Sequence, residues 1–83
     1  MEIMIYTKYR CYACKALKKW LNTNGFKYIE MPIELAQNKD EFLKRELSGF
    51  PSTIIKYNNK EKFFLGNNSK LKKYLESINE STK

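Results

Sequence analysis

The only two cysteines of the chain, Cys11 and Cys14, stand together as Cys11-Tyr12-Ala13-Cys14. On a helix, that spacing puts both sulfurs on one turn, close enough to join as a disulfide and to separate again. Two chemistries use such a pair. In thiol–disulfide exchange, one thiolate attacks a substrate disulfide and the second thiol resolves the mixed disulfide. In metal binding, the pair supplies part of a ligand set. A structural zinc takes four Cys or His ligands, and this chain has two cysteines and no histidine. The count points to redox chemistry and to no metal bound within the chain. A metal shared between two subunits is the form of the alternative that is left.

The flanking residues support the redox reading. Ile3-Met4-Ile5-Tyr6 is an unbroken apolar run, the pattern of a strand buried on both faces. Beyond the cysteines, Ala13, Leu17, Trp20 and Leu21 recur at spacings of three and four, with Ala16 beside them. They form one helical face, with Trp20 as part of the core, while Lys15, Lys18 and Lys19 point outward. Asn24-Gly25 supplies the stop. Cys11 therefore opens a helix just after a buried strand. There, free backbone N–H groups and the helix dipole favour negative charge, and Lys8 and Arg10 add to it. Cys11 is expected to be the attacking thiolate, more acidic than a free cysteine. Cys14, one turn deeper, is the resolving thiol.

The remaining elements must position this pair. Tyr28 to Ile33 reads as a second strand, with Pro32 marking an edge or a strand end. Asn38-Lys39-Asp40-Glu41 has capping-box spacing and leads into a short helix with Phe42, Leu43 and Leu47, stopped by Gly49. Thr53 to Tyr57 and Glu61 to Leu65 read as strands joined by an Asn58-Asn59 hairpin turn. Asn68 or Ser69 caps a last helix with Leu71, Tyr74, Leu75 and Ile78 as its buried stripe. Residues 79–83 are expected to fray. The order βαβαββα predicts an α/β fold: a four-stranded mixed sheet with helices on both faces. In such sheets the reactive group lies beyond the carboxyl end of a central strand, where Cys11 stands.

At 83 residues, 42% of them hydrophobic, residues 1–83 make one domain with one modest core. No apolar run is long enough to span a membrane. The first residues are strand-like and lack a leader pattern, so a cytoplasmic protein is expected. A reducing compartment disfavours a permanent structural disulfide, which again favours a catalytic pair. The formal charge of +7 suggests an acidic protein partner, an acidic small molecule or nucleic acid. The cations are dispersed, however, which reads as a solvated basic surface. No basic–aromatic platform calls for nucleic acid, and none is expected as a partner. Without histidine, acid–base work near neutral pH falls to a thiol, a carboxylate or water.

With Ile5-Tyr6-Thr7-Lys8, the Cys11/Cys14 motif and Pro51 in place, the chain resembles the glutaredoxins from Ile3 to about Ile78. It is also similar to the glutaredoxin-like hydrogen donors of ribonucleotide reductase. The resemblance implies a thioredoxin-like fold, and a cis Phe50-Pro51 bond packed beside Cys11. It also implies a Phe50 backbone that pairs with the substrate peptide, and a Lys8 that helps hold the thiolate and a substrate carboxylate. Gly66 matches the first of the family's two glycines after the fourth strand. Asn67 replaces the second, as a residue able to take positive φ. No acidic residue follows to pair with the glutathione amino group; Asn68 or Ser69 offers a neutral hydrogen bond there. Tyr12-Ala13 stands where many glutaredoxins carry Pro-Tyr.

The expected substrate-binding set is thus Lys8, Arg10, Tyr12, Phe50, Pro51, Gly66 and Asn67. Tyr9 and Tyr12 read either as plain surface aromatics or as an apolar rim for a substrate. Lys18 reads as a solvated residue, or as a contact for a substrate carboxylate. Ser52 and Thr53 read as strand residues without chemistry. The function expected is a dithiol–disulfide oxidoreductase that reduces protein disulfides or glutathione mixed disulfides. It needs no bound cofactor. Its reductant is glutathione, as co-substrate, or a thioredoxin-reductase-type flavoenzyme. Two alternatives stand beside it: a dedicated electron donor to ribonucleotide reductase, and a non-enzymatic redox-fold binding module.

Overall fold

The computed structural model describes residues 1–81. The elements are β1 (Glu2–Thr7), α1 (Tyr12–Thr23), β2 (Ile29–Pro32), α2 (Ala36–Lys44), β3 (Ser52–Tyr57), β4 (Lys60–Leu65) and α3 (Ser69–Ser81). They form one four-stranded sheet in the order β2-β1-β3-β4. β1 runs parallel to β2, because α1 carries the chain back before β2 begins. β3 is antiparallel to both β1 and β4. Pro32 marks both things at once: it ends β2, and β2 is an edge strand.

β1 lacks polar alternation because both of its faces are covered. Ile3 and Ile5 pack with Leu17 and Leu21 of α1, Phe26, Ile55, and Leu71 and Leu75 of α3. Met4 and Tyr6 pack on the opposite face with Phe42 of α2 and Ile54. Each such aliphatic or aromatic side chain contributes about 1.5–3 kcal/mol on burial. Trp20 lies at the margin of the first cluster, stacked on Phe26 with ring centroids 5.7 Å apart. The hairpin between β3 and β4 turns on Asn58 (φ 52°) and Asn59 (φ 61°), opposite the Tyr57–Lys60 pair. Two successive left-handed residues match the twist of the flanking strands.

Two element boundaries depart from the sequence expectation. The capping box at Asn38 does not form: α2 begins three residues earlier, with Leu35 at its N-cap and no side-chain cap. Asn38 is instead a helical residue whose Nδ2 donates to the Pro32 carbonyl at 2.9 Å, tying α2 to the end of β2. Gly49 is not the helix stop either. Glu46 takes the left-handed position (φ 57°) just after α2. A Cβ at Gly49 would stand 2.9 Å from the far end of the half-exposed Leu65 side chain, which would have to shift. α3 runs to Ser81, and residues 82 and 83 of the tail expected to fray lie outside the described residues.

Candidate active site

β1 ends at Thr7, and a short turn through Tyr9 and Arg10 brings the chain to Cys11. Arg10 takes a left-handed conformation (φ 58°), which redirects the chain into α1. Cys11 is the N-cap of α1, in an extended conformation, and its Sγ accepts the Cys14 backbone N–H at 3.2 Å. Cys11 and Cys14 are joined as a disulfide, with their Cα atoms 5.2 Å apart. Both residues are buried, Cys14 at 2% exposure and Cys11 at 7%, so Cys11 is the more exposed of the pair. In the reduced state, the N–H that meets Cys11 Sγ and the positive end of α1 both favour a thiolate there.

The segment that enters β3 lies at the same end of the sheet. The Phe50-Pro51 peptide bond is cis. Ser52 pairs with Tyr6 across β1 and β3, which places Pro51 at the end of the sheet from which Cys11 emerges. Ser52 is fully buried and its hydroxyl donates to the Gly49 carbonyl at 2.6 Å, so it fastens the turn that carries Phe50 and Pro51. The Gly66 N–H donates to the Pro51 carbonyl at 2.8 Å, extending the ladder by one rung. The Phe50 ring stacks on Phe42 at 4.8 Å, and Lys8 Nζ stands over the Phe50 ring, 5.6 Å from its centroid. Lys8 is thus held beside the disulfide by a cation–π contact.

A pocket of about 310 Å³ opens beside the disulfide, lined among others by Lys8, Arg10, Lys15, Lys18, Glu30 and Glu34. Glu30 Oε2 accepts from Thr7 Oγ1 at 2.8 Å and from Lys18 Nζ at 2.9 Å. The Lys18 hydrogen bond holds the Glu30 carboxyl below the usual glutamate range, against the opposing effect of burial. Glu34 Oε2 accepts the Tyr9 backbone N–H at 2.8 Å and so braces the turn before Cys11.

Fifty-five residues, 3–57, match the family model for glutaredoxin, a span that includes both cysteines and Pro51. The chain belongs to the glutaredoxin family. No curated protein matches the sequence. Among solved structures, the thioredoxin-like protein BC3987 is 21% identical, with a TM-score of 0.74 over 89% of this chain and 99% of that one. The glutaredoxin-like protein NrdH-redoxin from Escherichia coli is 20% identical, with a TM-score of 0.75 over 90% of this chain and 95% of its own. Thioredoxin from Fasciola hepatica superposes with a TM-score of 0.71 at 16% identity, over 90% and 77% of the two chains. The four-stranded sheet is accordingly a thioredoxin-like fold. As a glutaredoxin-family protein, the molecule is a thiol–disulfide oxidoreductase, and its Cys11–Cys14 disulfide lies within the matched span.

Not every expected site residue of this glutaredoxin-family protein sits in the same place. Lys8, Arg10 and the cysteines line the pocket. Tyr12 projects from the first turn of α1 and is 86% exposed. Phe50, Pro51 and Gly66 belong to the β3 entry and the end of β4. Gly66 is left-handed (φ 81°), but Asn67 is not among the positive-φ residues. One left-handed residue suffices to turn the chain out of β4, after which Asn68 caps α3. Asn68 Oδ1 accepts the Leu71 N–H at 2.8 Å and its Nδ2 donates to the Leu65 carbonyl at 2.7 Å.

Sequence reasoning missed Thr7, Lys15, Ser52, Glu30 and Glu34. For Glu30 and Glu34 the only signal was that one acid lies within the second strand and another just after it in a basic chain; the parallel register brings that strand beside β1.

Proposed function

We propose that this protein reduces disulfides in polypeptides, with Cys11 as the attacking thiolate and Cys14 as the resolving thiol. The observation that carries the reading is the placement of the disulfide. The outer sulfur is the N-cap of α1 and accepts a helix N–H, while the inner one lies deeper behind it. The first displacement forms a mixed disulfide between Cys11 and the substrate and expels a substrate thiolate. The second, by the Cys14 thiolate on Cys11 Sγ, expels the other substrate thiolate and closes the Cys11–Cys14 bond. Two electrons pass to the substrate, whose two thiolates take up the proton that the Cys14 thiol gives up and one from solvent. Phe50, Pro51 and Lys8 frame the approach, with the Phe50 backbone as the place where an extended substrate segment pairs.

Polypeptide disulfides fit better than glutathione mixed disulfides. The segment from Leu65 to Ser69 carries no carboxylate for the glutathione amino group, and the Asn68 side chain is occupied by the helix cap. The reductant we infer is a thioredoxin-reductase-type flavoenzyme, in keeping with the thioredoxin-like activity profile described for NrdH-redoxin. A dithiol protein of this kind works in a reducing compartment, and we place it in the cytoplasm. NADPH consumption decides the coupling. With a protein disulfide as acceptor, turnover is expected with the flavoenzyme and little with glutathione plus its reductase. Efficient turnover with glutathione alone would reverse the assignment of reductant. Activity with neither would contradict the disulfide-reductase reading.

A further inference from the structure

The surroundings of the disulfide carry charge that the exchange reaction itself does not require. Four cations and two carboxylates line the pocket. Glu30 is paired with Lys18 and accepts from the Thr7 hydroxyl, while Glu34 accepts the Tyr9 N–H and keeps its charge, so the lining is positive by about two charges. Among the described residues, ion pairs form only at Lys18–Glu30, Arg45–Glu41, Arg45–Glu61 and Lys56–Glu61. Lys8, Arg10 and Lys15 therefore surround the sulfurs without an anionic partner. Lys8 and Arg10 are held over the rings of Phe50 and Tyr9, at 5.6 and 5.4 Å from the centroids. Ring contacts of this kind hold a cation in place without cancelling its charge. Tyr9, 74% exposed, lines the pocket, while Tyr12, 86% exposed, lies outside it and offers an aromatic surface that a small molecule in the pocket would leave bare.

We infer that this site selects polypeptide disulfides whose reactive cysteine is flanked by acidic side chains, with Arg10 and Lys15 as specificity-determining residues. The inference rests on the disulfide-reductase reading above and names its substrate class. Three unpaired cations around a partly buried sulfur focus a positive field at the point of attack. Such a field raises the encounter rate with an anionic partner by about tenfold or more. It also steadies the thiolate that leaves the substrate when Cys11 forms the mixed disulfide. A substrate with lysine or arginine beside its disulfide meets like charge at both steps.

The test is single turnover by fully reduced protein, freed of reductant, so that its own Cys11 and Cys14 supply both electrons. Three peptides share one intramolecular disulfide ring and differ in flanks: acidic, neutral or basic. Acid quenching and chromatography give the second-order rate constant for each. At low salt the acidic peptide should react at least about tenfold faster than the basic one. At about 1 M salt, where the Debye length is roughly 3 Å, the rates should converge to within about twofold. Arg10→Glu and Lys15→Glu should each lower the acidic-to-basic ratio by about threefold or more. The neutral peptide corrects for any change in sulfur reactivity. Lys73→Glu, an equal change of charge on the exposed face of α3, should leave the ratio alone.

Equal rates for the acidic and basic peptides at low salt would overturn the inference, and so would a ratio that survives high salt. Because these arms use the wild-type protein, the test does not depend on any variant folding. A Lys73→Glu effect as large as that of Lys15→Glu would also overturn it, by making net charge the cause. If the neutral peptide is not reduced at all, the disulfide-reductase reading itself fails.

Discussion

Removing the Asn68 side chain should loosen α3 and leave the redox chemistry of the folded protein intact. Its Oδ1 takes the N–H of Leu71, a residue that is fully buried against the first core cluster. Loss of an N-cap of this kind costs about 1 kcal/mol, within a range of about 0.5–2 kcal/mol. The second bond, from Nδ2 to the Leu65 carbonyl, is exposed, and water replaces it at little further cost. In a domain of this size, about 1 kcal/mol corresponds to roughly 4–8 °C in Tm. Asn68→Ala should therefore unfold about 4–8 °C below the wild type, as followed by circular dichroism. Asn68→Asp should recover most of that, since Asp caps as well as Asn and its charge suits a helix N-terminus. At a temperature where both proteins are folded, Asn68→Ala should reduce a peptide disulfide at the wild-type rate. An unchanged Tm would refute the capping role. A fallen Tm together with selective loss of activity toward glutathione mixed disulfides would make Asn68 a substrate contact and refute the assignment of its hydrogen bonds.

Two further predictions concern the site. In the reduced protein near neutral pH, iodoacetamide should label Cys11 far faster than Cys14, read by mass spectrometry; equal rates would contradict their division of labour. Glu30→Gln should lower Tm at neutral pH by an amount equivalent to about 0.2–1 kcal/mol, the usual worth of a solvent-screened ion pair. Because the fold depresses the Glu30 pKa, its contribution is complete above the ordinary value of 4.5 and is lost as pH falls through the depressed folded value. The Tm gap between variant and wild type should thus close on acidification, and a gap that widens would contradict the Lys18–Glu30 assignment.

The elements around Cys11 were legible because each rests on a strong local signal. Ile3 to Tyr6 reads as doubly buried because no polar residue interrupts it. Leu17 and Leu21 keep helical period, and Asn58-Asn59 permits the left-handed pair that a two-residue hairpin needs. The start of α2 was not legible. The Asn38–Glu41 spacing imitates a capping box, but a tertiary hydrogen bond to Pro32 outweighs the local option, and the helix begins earlier without a side-chain cap. The stop at Gly49 was not legible either: Glu46 takes the left-handed conformation just after α2, three residues before the glycine.

At the site, the cysteines and their helix terminus follow from spacing alone. The carboxylates do not. Glu30 reaches Lys18 and Thr7 only because β2 lies parallel to β1, and Glu34 reaches the Tyr9 N–H only across the turn that follows β2. Contacts between residues so far apart along the chain leave no periodic trace in a single sequence. Ser52 is the same kind of case: as a strand residue it looks inert, yet its hydroxyl closes the turn that presents Phe50 and Pro51.

The central claim, that Cys11 attacks and Cys14 resolves, is tested most directly by trapping the covalent intermediate. Reduced Cys14→Ser is mixed with an intermolecular peptide disulfide, and the intact mass is measured. The account predicts one adduct, of one peptide half joined to Cys11, stable because no resolving thiol is present, and no adduct on Cys11→Ser over the same time. A Cys14→Ser protein that stays unmodified, or a Cys11→Ser protein that traps the peptide on Cys14 as readily, would contradict it.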